Sequence, residues 1–373
     1  MTERADEIAA IRKTFADFVD REVLPVASAL DGEGEFPRAQ FRRVGELGLF
    51  GMRYPEHLGG TDNGTLVLCA ALEELARGWL SLAAVSMMQA LMGTWLVYRG
   101  GGPELQERLL RPALRGDKIG TICMTEPDAG SDLMAMTTRA DLCDGGYRLT
   151  GRKMWITSAP VADFFTVFAR APAGLTAFVV EAGVPGLRVG RALDKLGVRA
   201  SPTSEVVLDD VFVPASQRLG AEGQGPAQLG EILPQIRIAT GALAVGVARA
   251  ALQAAVQYAG ERRQFGKPIA QFQAVRMRLA DMATDVFAAE QVVRAAAGAA
   301  DCGRATVAAA SMAKQFASEA ALRVCDGAAR VLASYGYSTD FAVERYLRDV
   351  RFTLIGGGTP EMLKLAIAKE LLG

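Results

Sequence analysis

Ile119-Gly120-Thr121-Ile122-Cys123-Met124 runs directly into Thr125-Glu126-Pro127-Asp128-Ala129-Gly130-Ser131-Asp132. An apolar, β-rich run delivers a polar turn, and the periodicity of the chain changes here. Downstream, Thr137-Thr138-Arg139-Ala140-Asp141-Leu142, the turn Asp144-Gly145-Gly146 and Tyr147-Arg148-Leu149-Thr150 read as a hairpin. Phe164 to Phe168, Leu175 to Val180 and Ser204 to Leu208 are further short β-rich runs between turn residues. Residues 118–224 are expected to form a small antiparallel β domain. Upstream, Ile8, Ile11, Phe15 and Phe18 fall on one helical face, and Pro103 opens a further helix with Glu104, Glu107 and Arg108 facing water. Downstream, Leu243, Val247, Ala250 and Leu252, then Val275, Leu279, Met282 and Val286, restore the helical period in a run rich in strong helix formers. The expected fold class is α+β and multidomain: helical over 1–117, β over 118–224, a helical bundle over 225–373.

The 373 residues are half hydrophobic, enough for a large core. Lys and Arg number 41 against 42 Asp and Glu, so no basic excess points to nucleic acid. The five cysteines (Cys69, Cys123, Cys143, Cys302, Cys325) are scattered without a CxxC pair and read as reduced thiols of a cytoplasmic protein. One histidine, His57, in the turn-like Pro55-Glu56-His57-Leu58-Gly59-Gly60, argues against a His-rich metal site and a Ser-His-Asp hydrolase; no metal is expected. The start MTERADEIAA has no apolar signal core. Leu80 to Tyr98 is uncharged and approaches the length of a membrane span. Ser81, Ser86, Gln89, Gly93 and Thr94 interrupt it, so it is read as a buried helix, with Met87, Met88 and Met92 as adaptable pocket linings. No GxGxxG follows a strand and no GxxxxGK[ST] exists, so neither a Rossmann nor a P-loop site is indicated.

Two fragments carry chemistry. The Thr125–Asp132 turn offers hydroxyls and backbone N–H groups to an acceptor-rich ligand, and alone it fits equally a polar turn closing a hairpin. In Gly151-Arg152-Lys153-Met154-Trp155-Ile156-Thr157-Ser158, Trp155 and Thr157 lie two apart on a strand and point the same way. An aromatic face with a hydroxyl suits a flat heteroaromatic ring; an ordinary core tryptophan is the alternative.

Together these fragments resemble the acyl-CoA dehydrogenase family. Gly197-Val198-Arg199-Ala200-Ser201-Pro202-Thr203-Ser204 with Val211-Phe212-Val213-Pro214 is similar to that family's exit from its β domain. Glu261-Arg262-Arg263-Gln264-Phe265-Gly266-Lys267-Pro268 with Gln271-Phe272-Gln273 is similar to its C-terminal helix pair, and Tyr335-Gly336-Tyr337-Ser338, Arg348-Asp349 and Gly358-Thr359-Pro360-Glu361 follow in order. The resemblance spans nearly the whole chain. It implies an N-terminal helical domain, a middle β domain and a C-terminal four-helix bundle, with FAD as cofactor. It implies that Ile122, Met124, Thr125, Gly130 and Ser131 form the first flavin segment, and Trp155 and Thr157 the second. Arg262, Gln264, Phe265 and Gln273 match residues that reach the FAD of a neighbouring subunit; Arg330, Ser334, Thr359 and Glu361 complete the cofactor set. A homo-oligomer (dimer or tetramer), an acyl thioester substrate on CoA or a carrier protein, and an electron-transfer flavoprotein partner follow from the same resemblance. Ser131, Arg237 and the Gly358 backbone are the implied substrate contacts.

The chain departs from the family pattern where the reaction needs a base. Removal of an α-proton calls for a carboxylate above the α-carbon, with the thioester carbonyl hydrogen-bonded. In most relatives a Glu precedes the Gly-Thr pair; here Ile355-Gly356-Gly357-Gly358-Thr359 puts Gly357 there. Other relatives carry the base just before the Arg that matches Arg237, and that residue is Ile236. Three explanations stay open: another carboxylate such as Glu231 or Glu361, a non-catalytic subunit completed by a partner in a heteromer, or a flavin monooxygenase or oxidase on the same fold. Pro234 makes the register between Glu231 and Arg237 uncertain. Relatives also carry Gln and a Gly-Gly pair where this chain has Arg330-Val331-Leu332-Ala333-Ser334, with Arg330 expected to add charge toward the pyrophosphate.

Overall fold

The computed structural model describes residues 2–373, and the helical, β, helical order is what it contains. The first helical part comprises α1 (Thr2–Phe18), α2 (Leu24–Glu33), α3 (Arg38–Glu46), α4 (Gly64–Gly78), α5 (Leu80–Met87), α6 (Trp95–Gly100), α7 (Pro103–Leu105) and α8 (Arg111–Leu114). On α1, Phe15 and Phe18 are buried and Ile8 and Ile11 half-buried, the stripe that their spacing requires. Helix α5 continues into α6 through a π-helical turn, Met88–Gly93. The stretch Leu80–Gly100 has a mean hydropathy of 1.5, enough for a membrane span, but its apolar window is wholly buried inside the protein. Gln89 on the π turn donates to the carbonyls of Ala113 and Lys118, both at 2.8 Å, and accepts the N–H of Gly120 at 2.9 Å. The turn therefore fixes where the first strand begins.

The eight-stranded sheet contains β1 (Gly120–Cys123), β2 (Arg139–Cys143), β3 (Gly146–Thr157), β4 (Phe164–Ala171), β5 (Gly174–Glu181), β6 (Leu187–Val189), β7 (Thr203–Pro214) and β8 (Arg218–Leu219). Its order is β6-β7-β3-β2-β4-β5-β8, with β1 beside β4. Most pairings are antiparallel, including the expected β2–β3 hairpin. Two are not: β1 and β2 each run parallel to β4, a detail that corrects a purely antiparallel reading. Parallel pairing needs a crossover, and the long β1–β2 connection that holds Thr125–Asp132 lies in it. That segment therefore closes no hairpin between β1 and β2, although within it Glu126 and Ala129 exchange backbone hydrogen bonds around Pro127-Asp128. Alternation splits β4 between two cores: Phe164 and Phe168 face the helices, Phe165 and Val167 an inner cluster of the sheet.

The last part comprises α9 (Gly225–Glu261), the small hairpin β9 (Arg263–Gln264) and β10 (Lys267–Pro268), then α10 (Gln273–Asp301), α11 (Val307–Leu332), α12 (Val343–Ile355) and α13 (Pro360–Leu372). Helix α9 runs unbroken through Pro234, which settles the register of Glu231, Ile236 and Arg237 on one helix. Small residues let it approach α4: a Cβ on Gly246 would stand 2.2 Å from the Glu73 carbonyl.

All three parts meet at buried acids. Asp31 accepts from Trp79 Nε1 and Ser81 Oγ at 3.3 Å and pairs with Arg348 at 3.3 Å. Asp349 accepts the Val198 N–H at 2.6 Å. Burial and then Asp31 push the Asp349 carboxyl up to about 7, against the opposing pull of the Val198 N–H and Arg348. An acid raised above its unfolded value contributes stability fully at low pH and loses it as pH rises through the folded value. Wild-type stability relative to Asp349→Asn is therefore expected to fall between about pH 4 and 7 and to level off above, by at most about 1.4 kcal/mol per pH unit. Denaturant melts of both proteins across that range check it; a difference that stays flat or grows with pH contradicts it.

Candidate active site

The two motifs meet at the end of β1. Met154 donates its N–H to the Thr125 carbonyl at 2.9 Å, and Thr121 Oγ1 donates to the Thr157 carbonyl at 2.6 Å. The lock between them is Glu126. Its carboxylate accepts from Thr137 N (2.6 Å) and Oγ1 (2.9 Å), Thr138 N (2.9 Å) and Oγ1 (2.5 Å), and Lys153 Nζ (2.9 Å). Burial alone would raise this acid; the hydrogen bonds from Thr137, Thr138 and Lys153 outweigh it and hold it down to about 2. Lys153 is fully buried, so the pair is a charge-satisfied unit inside the sheet.

With that lock closed, an open face remains. Trp155 is 59% exposed, which rules out the core-tryptophan alternative. It sits at a β-bulge between Lys153 and Ile156 with φ +61, a local re-aiming of the side chain. Thr157 is half-buried, as are Met124 and Thr125; Gly130 and Ser131 are exposed, and a Cβ on Gly130 would meet nothing within 4 Å. Ile122 is the exception, buried in the main core. Among the described residues the hydroxyls of Thr125, Ser131 and Thr157 have no intramolecular hydrogen bond.

A second group lies elsewhere on the surface. Phe265 and Gly266 turn the β9–β10 hairpin with φ +50 and +77, as a two-residue hairpin of this hand requires. Phe265 is 92% exposed, and Gln264 and Gln273 are exposed beside it. Arg262 has no ion pair among the described residues and lies 6.0 Å from the Tyr335 ring centroid. Arg330 is already paired with Asp326 at 2.6 Å, and Ser334 is exposed. Ala333, where the family pattern has glycine, holds φ +53, a conformation that favours glycine.

The third group brings both expected base positions together. A Cβ on Gly357 (φ +75) would stand 3.4 Å from Ile236 Cγ2 and 3.4 Å from Thr240 Oγ1. Arg237 donates from Nε to the Gly357 carbonyl at 3.4 Å and from Nη1 to Ser311 Oγ at 3.1 Å. Lys314 donates to the carbonyls of Leu354 (3.0 Å) and Gly358 (2.5 Å). Neither suggested carboxylate joins this group by a hydrogen bond. Glu231 is ion-paired with Arg99 at 3.0 Å. Glu361 is exposed at the start of α13, where the backbone N–H and then the Thr359 hydroxyl hold its carboxyl below the usual range. Thr359 caps α13 by accepting from Met362 N. Sequence reasoning missed Ser311 and Lys314; the signal was a lone lysine among Ala310, Ala313 and Ala317 on a buried helix face.

Known proteins match this chain along nearly its whole length. The profile for the acyl-CoA dehydrogenase N-terminal domain matches residues 5–117, the middle-domain profile 121–211 and the C-terminal-domain profile 223–372. A benzylmalonyl-CoA dehydrogenase of Aromatoleum aromaticum is 58% identical over 369 residues, 98% of each chain. Butyryl-CoA dehydrogenase from Megasphaera elsdenii superposes with a TM-score of 0.96 at 34% identity, covering 99% of this chain and 98% of that one. A PigA structure with FAD and proline superposes with a TM-score of 0.94 at 30% identity, covering 98% and 97%.

The Glu126 lock generates an expectation of its own. Glu126→Gln leaves the Lys153 ammonium buried without a counter-charge and should cost roughly 3–5 kcal/mol of folding stability. The double variant Glu126→Gln with Lys153→Met should recover part of that loss. Urea unfolding of the three proteins tests it, and a single variant within about 1 kcal/mol of wild type would sink the idea.

Proposed function

The chain belongs to the acyl-CoA dehydrogenase family, whose members depend on FAD, and on that premise we propose that it oxidises a 2-carboxyacyl-CoA of the benzylmalonyl-CoA class, with loss of CO2. The observation that carries this reading is the pair Gly357 and Ile236: no carboxylate stands at either expected base position, and the two positions adjoin. An ordinary acyl thioester needs a group to take its α-proton. A malonyl-type thioester does not, because its α-carbon bears a carboxylate. Breaking the bond between Cα and CO2 leaves the electron pair on Cα as the thioester enolate. Bound FAD supplies the acceptor for the β-hydride, and the Cα=Cβ double bond forms. One negative charge enters as carboxylate and remains on the reduced cofactor, CO2 leaves neutral, and no proton is released.

The residues present fit the cofactor. Trp155 and the free hydroxyls of Thr125, Ser131 and Thr157 offer an aromatic face with donors to a flat, acceptor-rich ring. Arg262, with no carboxylate of its own, suits a pyrophosphate. Gln264, Phe265 and Gln273 stand out from the chain beside it, as a site shared with a second copy requires, so a homo-oligomer is part of the reading. An electron-transfer flavoprotein would collect the electrons. The Gly358 backbone N–H and Ser131 would hold the thioester, and the carbonyl contact stabilises the enolate without any base.

An anaerobic titration of the FAD-loaded protein tests the proposal. Benzylmalonyl-CoA is expected to bleach the flavin band with one CO2 released per flavin; 3-phenylpropanoyl-CoA, the same chain without the carboxylate, is expected to leave it oxidised. Equal bleaching by both, or bleaching without CO2, overturns the reading. A second expectation concerns Gly357→Glu. It places an anion where the substrate carboxylate would lie and strains a left-handed residue by about 1–2 kcal/mol. Turnover of benzylmalonyl-CoA should fall about tenfold or more through like-charge repulsion, while slow oxidation of 3-phenylpropanoyl-CoA appears. Steady-state kinetics on both thioesters decide it.

A further inference from the structure

Two cations flank the adjoining Gly357 and Ile236 positions, and no acid pairs with them. Arg237 on α9 reaches Ser311 Oγ with Nη1 and the Gly357 carbonyl with Nε, and its Nη2 has no partner among the described residues. Lys314, three residues beyond Ser311 on α11, is fully buried and is spent on two backbone carbonyls. Burial lowers both groups, and Arg237 pushes Lys314 down further, to about 8; Glu361 and Glu319 act on Lys314 only from a distance. Glu319 is turned to Lys364 at 3.7 Å. Several buried or half-buried cations of this chain have carboxylate partners: Lys153 has Glu126, Arg12 and Arg249 have Glu73 and Glu74, Arg348 has Asp31. Arg53, Lys195 and Arg345 have none among the described residues, but they stand singly, whereas Arg237 and Lys314 are two cations holding one backbone segment. An uncompensated positive pair in a low dielectric calls for an anion.

The position beside it is shaped to receive one. Gly357 contributes no side chain, and a Cβ there would make only ordinary contact with Ile236 and Thr240. We propose that Arg237, backed by Lys314, is the docking point for the α-carboxylate of a 2-carboxyacyl-CoA, so that the ligand brings the anion that this chain does not carry at position 357. This rests on the substrate class proposed above. A guanidinium can take the carboxylate bidentately, which discriminates against thioesters that lack it. Ile236 on the other side offers no donor, so departure as neutral CO2 leaves no polar group on that wall unpaired.

The test uses a pair of thioesters that cannot be oxidised between α and β carbons, because neither has a β-hydrogen: malonyl-CoA, which carries the α-carboxylate, and acetyl-CoA, which does not. Both are titrated into the FAD-loaded protein by calorimetry, with recovery of intact malonyl-CoA checked. Wild type is expected to bind malonyl-CoA about tenfold or more tightly than acetyl-CoA. Arg237→Gln should abolish the preference while acetyl-CoA affinity moves less than about threefold; Arg237→Lys should keep part of it. Equal binding of the two thioesters by wild type overturns the proposal, and so does a preference that survives in Arg237→Gln. If that variant loses its flavin, the wild-type ratio and Arg237→Lys decide. A malonyl preference in a protein that benzylmalonyl-CoA fails to bleach keeps this site and removes the dehydrogenation reading; bleaching without the preference does the reverse.

Discussion

Burial of the Glu126–Lys153 pair is the constraint on which the arrangement of the sheet's open face depends. A lysine with no exposure cannot remain charged without a partner, and Glu126 answers it while binding two consecutive threonines by backbone and side chain. The turn after β1 and the bulge on β3 are thereby fixed to each other across the sheet. Because the pair is satisfied internally, its neighbours are left unsatisfied: Thr125, Ser131, Thr157 and Trp155 face outward with their capacity unused. Rigidity beneath and open valence above are what a preorganised ligand face requires.

The same logic, inverted, governs the Arg237–Lys314 pair. There the protein supplies the cations and leaves the anion out. Arg237 and Lys314 both hold carbonyls of the Leu354–Gly358 segment, so the charge that a ligand would meet also shapes the loop it would meet it on. The Gly357 backbone at φ +75 lets that loop pass close to Ile236 without a side chain between them. Charge balance and backbone form are thus coupled in one place, on three helices that meet there.

Much of this was legible in the sequence. Period-2 runs gave the strands, and the spacing of Ile8, Ile11, Phe15 and Phe18 gave the first helix, because burial on one face imposes those periods. The motif turn and Trp155 could be placed on the sheet, but not distinguished from a hairpin closure and a core residue. Deciding that required knowing that β1 runs parallel to β4 and that a bulge turns Trp155 outward, and neither parallel pairing nor a one-residue bulge leaves a periodic mark. The adjacency of Ile236 and Gly357, some 120 positions apart, is a tertiary fact with no local signature. Nothing local marks Lys153 or Lys314 as buried, since tertiary packing alone decides which lysine loses its exposure.

The wholly buried apolar window within Leu80–Gly100 also bears on how the chain comes to exist. Part of its cover is α9, which begins only at Gly225. At a synthesis rate of about 5–20 residues per second, an apolar segment long enough to enter a bilayer is finished many seconds before that partner helix is even started. During that interval the part of the segment that α9 covers has no such cover. Order of synthesis therefore sets a lower bound on when this segment can be fully covered: not before the chain has grown past Gly225.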